Sequence, residues 1–333
     1  MNKKLVSWLS FPLLLFSCSE SPSTVDPSVD AGSVDMADTG DVSESCTRSV
    51  YGSGTIESSI QSGGLERTFR VHVPPDSAMD AGLPLVLVFH GGGGSGEQIE
   101  LRSSRFSELA DEEGFVAVYP DGTGTLKTWN GGGCCGAAVR EDVDDVGFVR
   151  DLLDHLEESL CIDSSKVFAT GMSNGGILSH RLACELSDRI AAIAPVAGTN
   201  MTDVCTPSSP VSVLQIHGSE DGHVPYEGGE GCGLAGVPFT SVPDTMEGWA
   251  TRMGCDAEAV AGQEIGDGAC RAWTGCEGAN VELCVIEGGG HSWPGGVQRS
   301  GVIDCPSDGI QSTTFDASRV IWDFFVRVDG SED

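Results

Sequence analysis

Lys166-Val167-Phe168-Ala169-Thr170-Gly171-Met172-Ser173-Asn174-Gly175-Gly176 is the stretch that decides the fold. The strand-like run Lys166–Thr170 leads into Gly-Met-Ser-Asn-Gly, and a helical pattern follows over Asn174–Leu186. A serine between two glycines at a strand-to-helix junction sits on a turn so sharp that only glycine fits close to it. The hydroxyl is held up, away from the backbone, at the start of the helix. Serine at neutral pH is a poor nucleophile. It needs a histidine to take its proton and a carboxylate to orient and stabilise that histidine. The turn therefore dictates what should follow downstream: an acid, then a histidine.

Outward from this turn, apolar runs alternate with helical patterns. Leu83–Phe89 is continuously apolar, as a buried parallel strand should be. Thr68–Val73, Phe115–Tyr119, Ile190–Pro195, Val211–Ile216 and Val281–Ile286 read as further strands. Ile99–Glu113, Asp142–Leu160, Thr245–Met253 and Ala317–Val328 read as helices. Asp142, Asp144 and Asp145 open the second of these, where negative charge is favoured. Alternation of this kind predicts an α/β fold, with a mostly parallel sheet and helices on both faces.

The partners of Ser173 are sought in loops that follow strands. After Val211–Ile216 comes His217-Gly218-Ser219-Glu220-Asp221-Gly222, and Asp221 in its tight turn takes the acid role, with Glu220 the nearest competitor. After Val281–Ile286 comes Glu287-Gly288-Gly289-Gly290-His291-Ser292-Trp293-Pro294, and His291 takes the base role. Catalysis also needs backbone N–H groups aimed at the substrate oxygen, each worth about 3 kcal/mol. One is expected from Asn174, directly after the nucleophile. The other is expected from His90-Gly91-Gly92-Gly93-Gly94, after Leu83–Phe89. Gly92 is the chosen donor and Gly91 stands close behind; sequence does not separate them. His72, His155, His180, His217 and His223 lack this context and read as structural, with His217 placed to help orient the acid loop. No metal or organic cofactor is called for.

The chain has 333 residues, 39% hydrophobic, with a formal net charge of −32. Such acidity excludes nucleic acid and anionic membranes as electrostatic partners, since both need basic patches. Asn2-Lys3-Lys4 followed by apolar Leu5–Phe16 reads as an export signal over residues 1–17, too short to span a membrane. It ends Leu15-Phe16-Ser17-Cys18, similar to a bacterial lipobox, so Cys18 is the expected lipidation site and membrane tether. Residues 18–45 read as a disordered acidic tether, since Ser19–Ser45 holds seven carboxylates and no Lys or Arg. Residues 46–330 are read as one catalytic domain, acting as a monomer. Setting Cys18 aside leaves twelve of the thirteen cysteines, an even number that an exported protein should pair as disulfides. Adjacent Cys134 and Cys135 are expected to go to two different partners.

Four stretches together carry a resemblance. They are Trp129-Asn130-Gly131-Gly132-Gly133-Cys134-Cys135-Gly136, Asp142-Val143-Asp144-Asp145-Val146-Gly147-Phe148, Gly171–Gly176, and His291-Ser292-Trp293-Pro294-Gly295. With them the chain resembles the polyhydroxybutyrate depolymerase-like and feruloyl esterase-like secreted esterases of the α/β-hydrolase superfamily, over most of Arg67–Phe325. The resemblance implies hydrolysis of carboxylic esters with Ser173, Asp221 and His291 as the triad. Trp293, two residues from the base, and Trp129, in a glycine loop, are candidates for an aromatic wall that would stack on a hydroxycinnamoyl group. The same wall suits a short hydroxyalkanoate. Polymer depolymerases of the family usually carry an added polymer-binding module, and the chain leaves no room for one after residue 330. The expectation therefore leans to feruloyl or related esters of plant cell-wall polysaccharide, with polyhydroxybutyrate or its oligomers as the alternative substrate. A binding module that merely keeps the fold, and a peptidase, are the rival classes. The expected location is extracellular or at the cell envelope.

Overall fold

Strands that are apolar at every position need cover on both faces, and helices supply it here. The computed structural model describes residues 50–75, 82–233, 235–297, 305 and 308–330. The signal, Cys18 and the acidic tether lie outside the described residues. The strands are β1 (Gly54–Ser62), β2 (Leu65–Val73), β3 (Leu83–Phe89), β4 (Val116–Pro120), β5 (Ile162–Met172), β6 (Ala192–Val196), β7 (Ser212–Gly218), β8 (Gly229–Glu230), β9 (Pro238–Phe239), β10 (Ala259–Ile265), β11 (Gly268–Trp273) and β12 (Val281–Ile286). All but β8 and β9 join one sheet in the order β1-β2-β4-β3-β5-β6-β7-β12-β11-β10. The pairings from β4 to β12 are parallel, and the hairpins at both edges are antiparallel.

Successive residues of a strand point to opposite faces, and β3 shows what each face meets. Leu85, Leu87 and Phe89 join a core with Leu152, Leu178, Met246 and Trp249, from helices α4 (Asp145–Ser159), α5 (Asn174–Glu185) and α6 (Val242–Arg252). Val86 and Val88 join a second core with Phe106, Ile321, Phe324 and Phe325, from α2 (Phe106–Glu113) and α7 (Ala317–Asp329). Two short helices, α1 (Gly96–Gln98) and α3 (Gly136–Arg140), complete the set. The longer helices start where the sequence provides caps. Asp144 accepts the Gly147 N–H at 2.8 Å, and Asp316 accepts those of Ser318 and Arg319 at 3.1 and 3.2 Å.

The topology positions the site. From β3 the chain moves outward to β4, then returns to β5 on the other side of β3. Strand order reverses there, and ligands of open α/β sheets bind outside the strand ends at such a point. Phe89 of β3 and Gly171 of β5 are register partners, so the glycine loop and the Ser173 turn leave the sheet side by side. Gly218 of β7 pairs with Ile286 of β12, so the acid and base loops do the same.

The structure departs from the sequence reading in three places. Residues 99–113 are not one helix: Ile99–Ser104 is a π-helical turn, and Arg105 breaks the run with a left-handed backbone, φ 50°. The apolar spacing is preserved across the break, which hides it. The β1 strand and the β10–β11 hairpin were not anticipated, because edge strands with polar outward faces carry little apolar signal. Cys134 and Cys135 bond to each other rather than to two partners. The expectation rests on the strain of a bridge between neighbouring residues. The peptide between them is cis, and the Cα atoms are 3.1 Å apart. The other disulfides among the described residues include Cys184–Cys205, Cys232–Cys305, Cys255–Cys276 and Cys270–Cys284. None of the described helices is long and apolar enough to cross a membrane.

Candidate active site

Ser173 caps α5 with φ 56° and ψ −121°, a conformation that costs a non-glycine residue about 1–3 kcal/mol. Its surroundings hold it there. The Ser173 N–H donates to Val196 O at 2.8 Å, and its carbonyl accepts the Ile177 N–H at 2.9 Å. The flanking glycines are a matter of space. A Cβ on Gly171 would lie 2.7 Å from Phe89 O, and one on Gly175 would collide with that same oxygen.

The glycine loop packs against this turn. A Cβ on Gly91 would sit 3.5 Å from Ser173 Cβ, and one on Gly92 would sit 3.8 Å from Asn174 Cβ. Among the described residues no acceptor takes the N–H of Gly92 or of Asn174. His90 fixes the base of the loop. Its Nδ1 lies 2.7 Å from Gly91 O, and its Nε2 accepts the Gly122 N–H at 2.9 Å, so the proton sits on Nδ1 and the ring is neutral. Burial agrees with this, pushing the His90 pKa down to about 4. The Asn174 side chain is taken up in support: Oδ1 accepts the Trp129 N–H at 2.7 Å, and Nδ2 donates to Trp129 O at 3.0 Å.

Asp221 and His291 meet across their loops. Asp221 is buried; its Oδ1 accepts the N–H groups of His223 and Val224 at 2.9 and 2.8 Å, and its Oδ2 stands 2.8 Å from His291 Nδ1. Burial alone would push this carboxyl up. The His291 charge and hydrogen bond, the nearby His217 and the Val224 N–H outweigh it and hold Asp221 below the usual carboxylate range. His217 Nε2 donates to Val224 O at 2.8 Å and lies 3.4 Å from Asp221 Oδ2, so it does brace the acid loop. Glu220 is exposed. Asp221, His223 and His291 are close enough together to hold a cation, yet both Asp221 oxygens are already engaged.

A cavity of about 280 Å³ opens beside His291, lined also by Ser103, Met172, Trp293, Ile310 and others. Met172, the residue before Ser173, lines the same cavity as His291. Trp293 lines this cavity but is nearly buried, and its Nε1 donates to Ser318 Oγ at 3.1 Å. Trp129 does not face the cleft. It is fully buried, donates from Nε1 to His90 O at 2.9 Å and packs edge-on against Phe89. The expectation of a Trp129 wall is corrected: an indole in a glycine loop reads as exposed, but this one props the loop from beneath. Sequence reasoning missed Asp308 entirely and read His223 as structural. The Asp308 Oδ1 accepts the N–H of both Gly222 and His291, and the His223 ring stacks on that of His291 at 4.7 Å.

A strained serine beside free backbone donors, next to a cavity bordered by a carboxylate-bound histidine, can carry out acyl transfer through a covalent intermediate. The family model described as "Esterase PHB depolymerase" matches residues 67–225. A protein of Nocardia uniformis subsp. tsuyamanensis described as an esterase, NocK, is 31% identical over 270 residues, covering 75% of this chain and 77% of that protein. The chain belongs to this polyhydroxybutyrate depolymerase-like and feruloyl esterase-like esterase family. Feruloyl esterase B of Piromyces equi is 32% identical over 232 residues, 67% of this chain and 42% of that protein. The chain thus spans less than half the length of that relative. Among solved structures, an acetyl xylan esterase from Aspergillus awamori superposes with a TM-score of 0.55 at 16% identity, over 71% of this chain and 94% of its own. Thermogutta terrifontis esterase 2 superposes with a TM-score of 0.51 at 14% identity, over 83% and 94%. Both likenesses speak for the fold alone, the α/β-hydrolase fold.

Proposed function

We propose that this esterase-family chain is a serine carboxylic-ester hydrolase that acts on feruloyl or related acyl esters of plant cell-wall polysaccharide. The observation that carries the reading is the hydrogen-bonded Asp221–His291 pair, with His291 lining the same cavity as Met172, the residue before the strained Ser173. In this reading Ser173 Oγ attacks the ester carbonyl while His291 Nε2 takes its proton. Asp221 keeps the proton of His291 on Nδ1 and stabilises the imidazolium. The N–H groups of Asn174 and Gly92 receive the oxyanion. His291 then protonates the leaving alcohol, and water repeats the sequence on the acyl-enzyme. Trp293 forms part of the acyl wall.

The substrate class draws on the feruloyl esterase relatives and on a relative described as a bifunctional acetylxylan esterase/xylanase. A second reading, hydrolysis of polyhydroxybutyrate or its oligomers, draws on the family-model match. The test is a panel of methyl ferulate, acetylated xylan, a hydroxybutyrate oligomer and p-nitrophenyl esters, each beside Ser173→Ala. Ser173-dependent release of ferulate supports the first reading, and preference for the oligomer supports the second. Activity that survives in Ser173→Ala would overturn the mechanism. The disulfides suit an oxidising compartment, so the reading includes export. Lipidation of Cys18 belongs to the same proposal, and an intact mass lacking the lipid would overturn it. The monomeric state belongs to the same proposal, and light scattering tests it.

A further inference from the structure

Asp308 belongs to neither the acid loop nor the base loop as read from sequence, yet it holds both. Its Oδ1 accepts the Gly222 N–H at 3.1 Å, one residue from Asp221, and the His291 N–H at 2.8 Å. Its Oδ2 lies 3.6 Å from His223 Nδ1, a buried nitrogen with no hydrogen-bond partner among the described residues. The His223 ring in turn lies against the His291 ring, centroids 4.7 Å apart and planes 24° apart. The Asp308 N–H donates to Cys305 O at 2.9 Å, and Cys305 is bonded to Cys232, whose N–H donates to Gly222 O. Covalent and polar links thus converge on one carboxylate between the two loops.

We propose that Asp308 is a positioning residue for the base: its carboxylate locks the acid loop to the base loop and keeps His223 against the His291 ring. The inference rests on the reading of His291 as general base. Hydrogen bonding at Nδ1 alone leaves an imidazole free to tilt about that bond. The stacked His223 and the anchored His291 backbone remove that freedom. Among the described residues, the charged and titratable groups facing His291 include Asp221 at Nδ1, His223 on its face, Asp308 at its backbone N–H and His217 behind Asp221; those facing His223 include Asp308, Asp221 and His291. Burial first, and then the neighbouring His291, hold the His223 pKa below its ordinary value, so at neutral pH the stacked ring is uncharged and does not oppose the imidazolium.

The experiment compares Asp308→Ala and Asp308→Asn on p-nitrophenyl acetate from pH 5 to 9, with melting temperatures and Ser173→Ala alongside. Loss of both anchors should lower kcat of Asp308→Ala by about 10- to 100-fold, with KM held within about twofold. The Asn variant keeps an oxygen that accepts both N–H groups, so it should recover most of kcat. Without the negative charge, its acidic limb of kcat/KM should move down by about half a pH unit. Wild-type kcat and pH profile in a folded Asp308→Ala would overturn the proposal. Should Asp308→Ala fail to fold, the Asn variant decides, and a profile superimposable on wild type would overturn it. Activity persisting in Ser173→Ala would instead sink the esterase mechanism itself, a separate outcome.

Discussion

Asp221 Oδ2 lies 2.8 Å from His291 Nδ1, and the opposite oxygen of the same carboxylate accepts two N–H groups of its own loop. The carboxylate is therefore fixed before it meets the imidazole, and its lone pair dictates which ring nitrogen carries the proton. Asp221→Asn preserves shape and the loop hydrogen bonds but can present an N–H to Nδ1. That favours the tautomer with no acceptor for the serine proton. The expected result is a loss of about 10⁴-fold in kcat. Steady-state kinetics and a melting curve on one preparation check it, and the melting temperature should move far less than the rate.

The two glycine positions of the site should respond in opposite ways. Gly175 has no room: a Cβ would collide with Phe89 O, and its next neighbours are also backbone atoms, which cannot rotate away. Gly175→Ala should cost about 3 kcal/mol or more. Gly92 has room, since a Cβ would meet Asn174 and Thr128 at 3.8 and 3.9 Å, ordinary contact distances. Gly92→Ala keeps the backbone N–H and should fold with unchanged stability, its activity within about tenfold of wild type. Urea unfolding separates the two, and equal destabilisation would contradict the packing argument.

Buried neutral histidines make stability depend on pH. The folded-state pKa of His90 is about 4, depressed chiefly by burial, against about 6.5 in an unfolded chain. Between those values the unfolded chain binds the proton and the folded one does not. This stability is fully present above pH 6.5 and is lost as pH falls toward 4. His180, also near 4 through burial, adds to the slope in the same direction. His90→Gln, whose side-chain oxygen can still accept the Gly122 N–H, should flatten the curve by up to about 1.4 kcal/mol per pH unit in that window. Urea unfolding at pH 7, 6 and 5 tests this, and parallel curves for the two proteins would refute it.

The parts of the site that sequence revealed are those built from local geometry. The Ser173 turn is visible because its two glycines flank the serine within five contiguous residues, although the atoms that exclude a Cβ there include Phe89 O of the neighbouring strand. Asp221 and His291 are visible because each follows a continuously apolar strand, and parallel strands end at the site. Asp308 is invisible for the converse reason. It lies 86 residues from Gly222 and 17 from His291 along the chain, in an irregular segment with no periodicity, and only the folded loops bring it between them. Trp129 shows the limit of local reading, because its burial depends on Phe89 and His90, some forty residues earlier.

The two tryptophans once grouped as a single aromatic wall should separate in kinetics. Trp129→Phe removes the donor to His90 O and leaves that buried carbonyl unpaired, at a cost of about 1–3 kcal/mol. Because the change acts beneath the glycine loop, it should slow every ester by a similar factor. Trp293 borders the cavity beside His291 and packs edge-on against Phe106, ring centroids 6.2 Å apart. Trp293→Leu keeps an apolar lining but loses the aromatic face, so it should alter the ratio of kcat/KM between methyl ferulate and p-nitrophenyl acetate. A stacking contribution of about 1 kcal/mol corresponds to a change of roughly fivefold. A ratio that moves in Trp129→Phe and holds in Trp293→Leu would reverse the assignment, and would require the acyl group to lie on the glycine-loop side of Ser173 rather than beside the base.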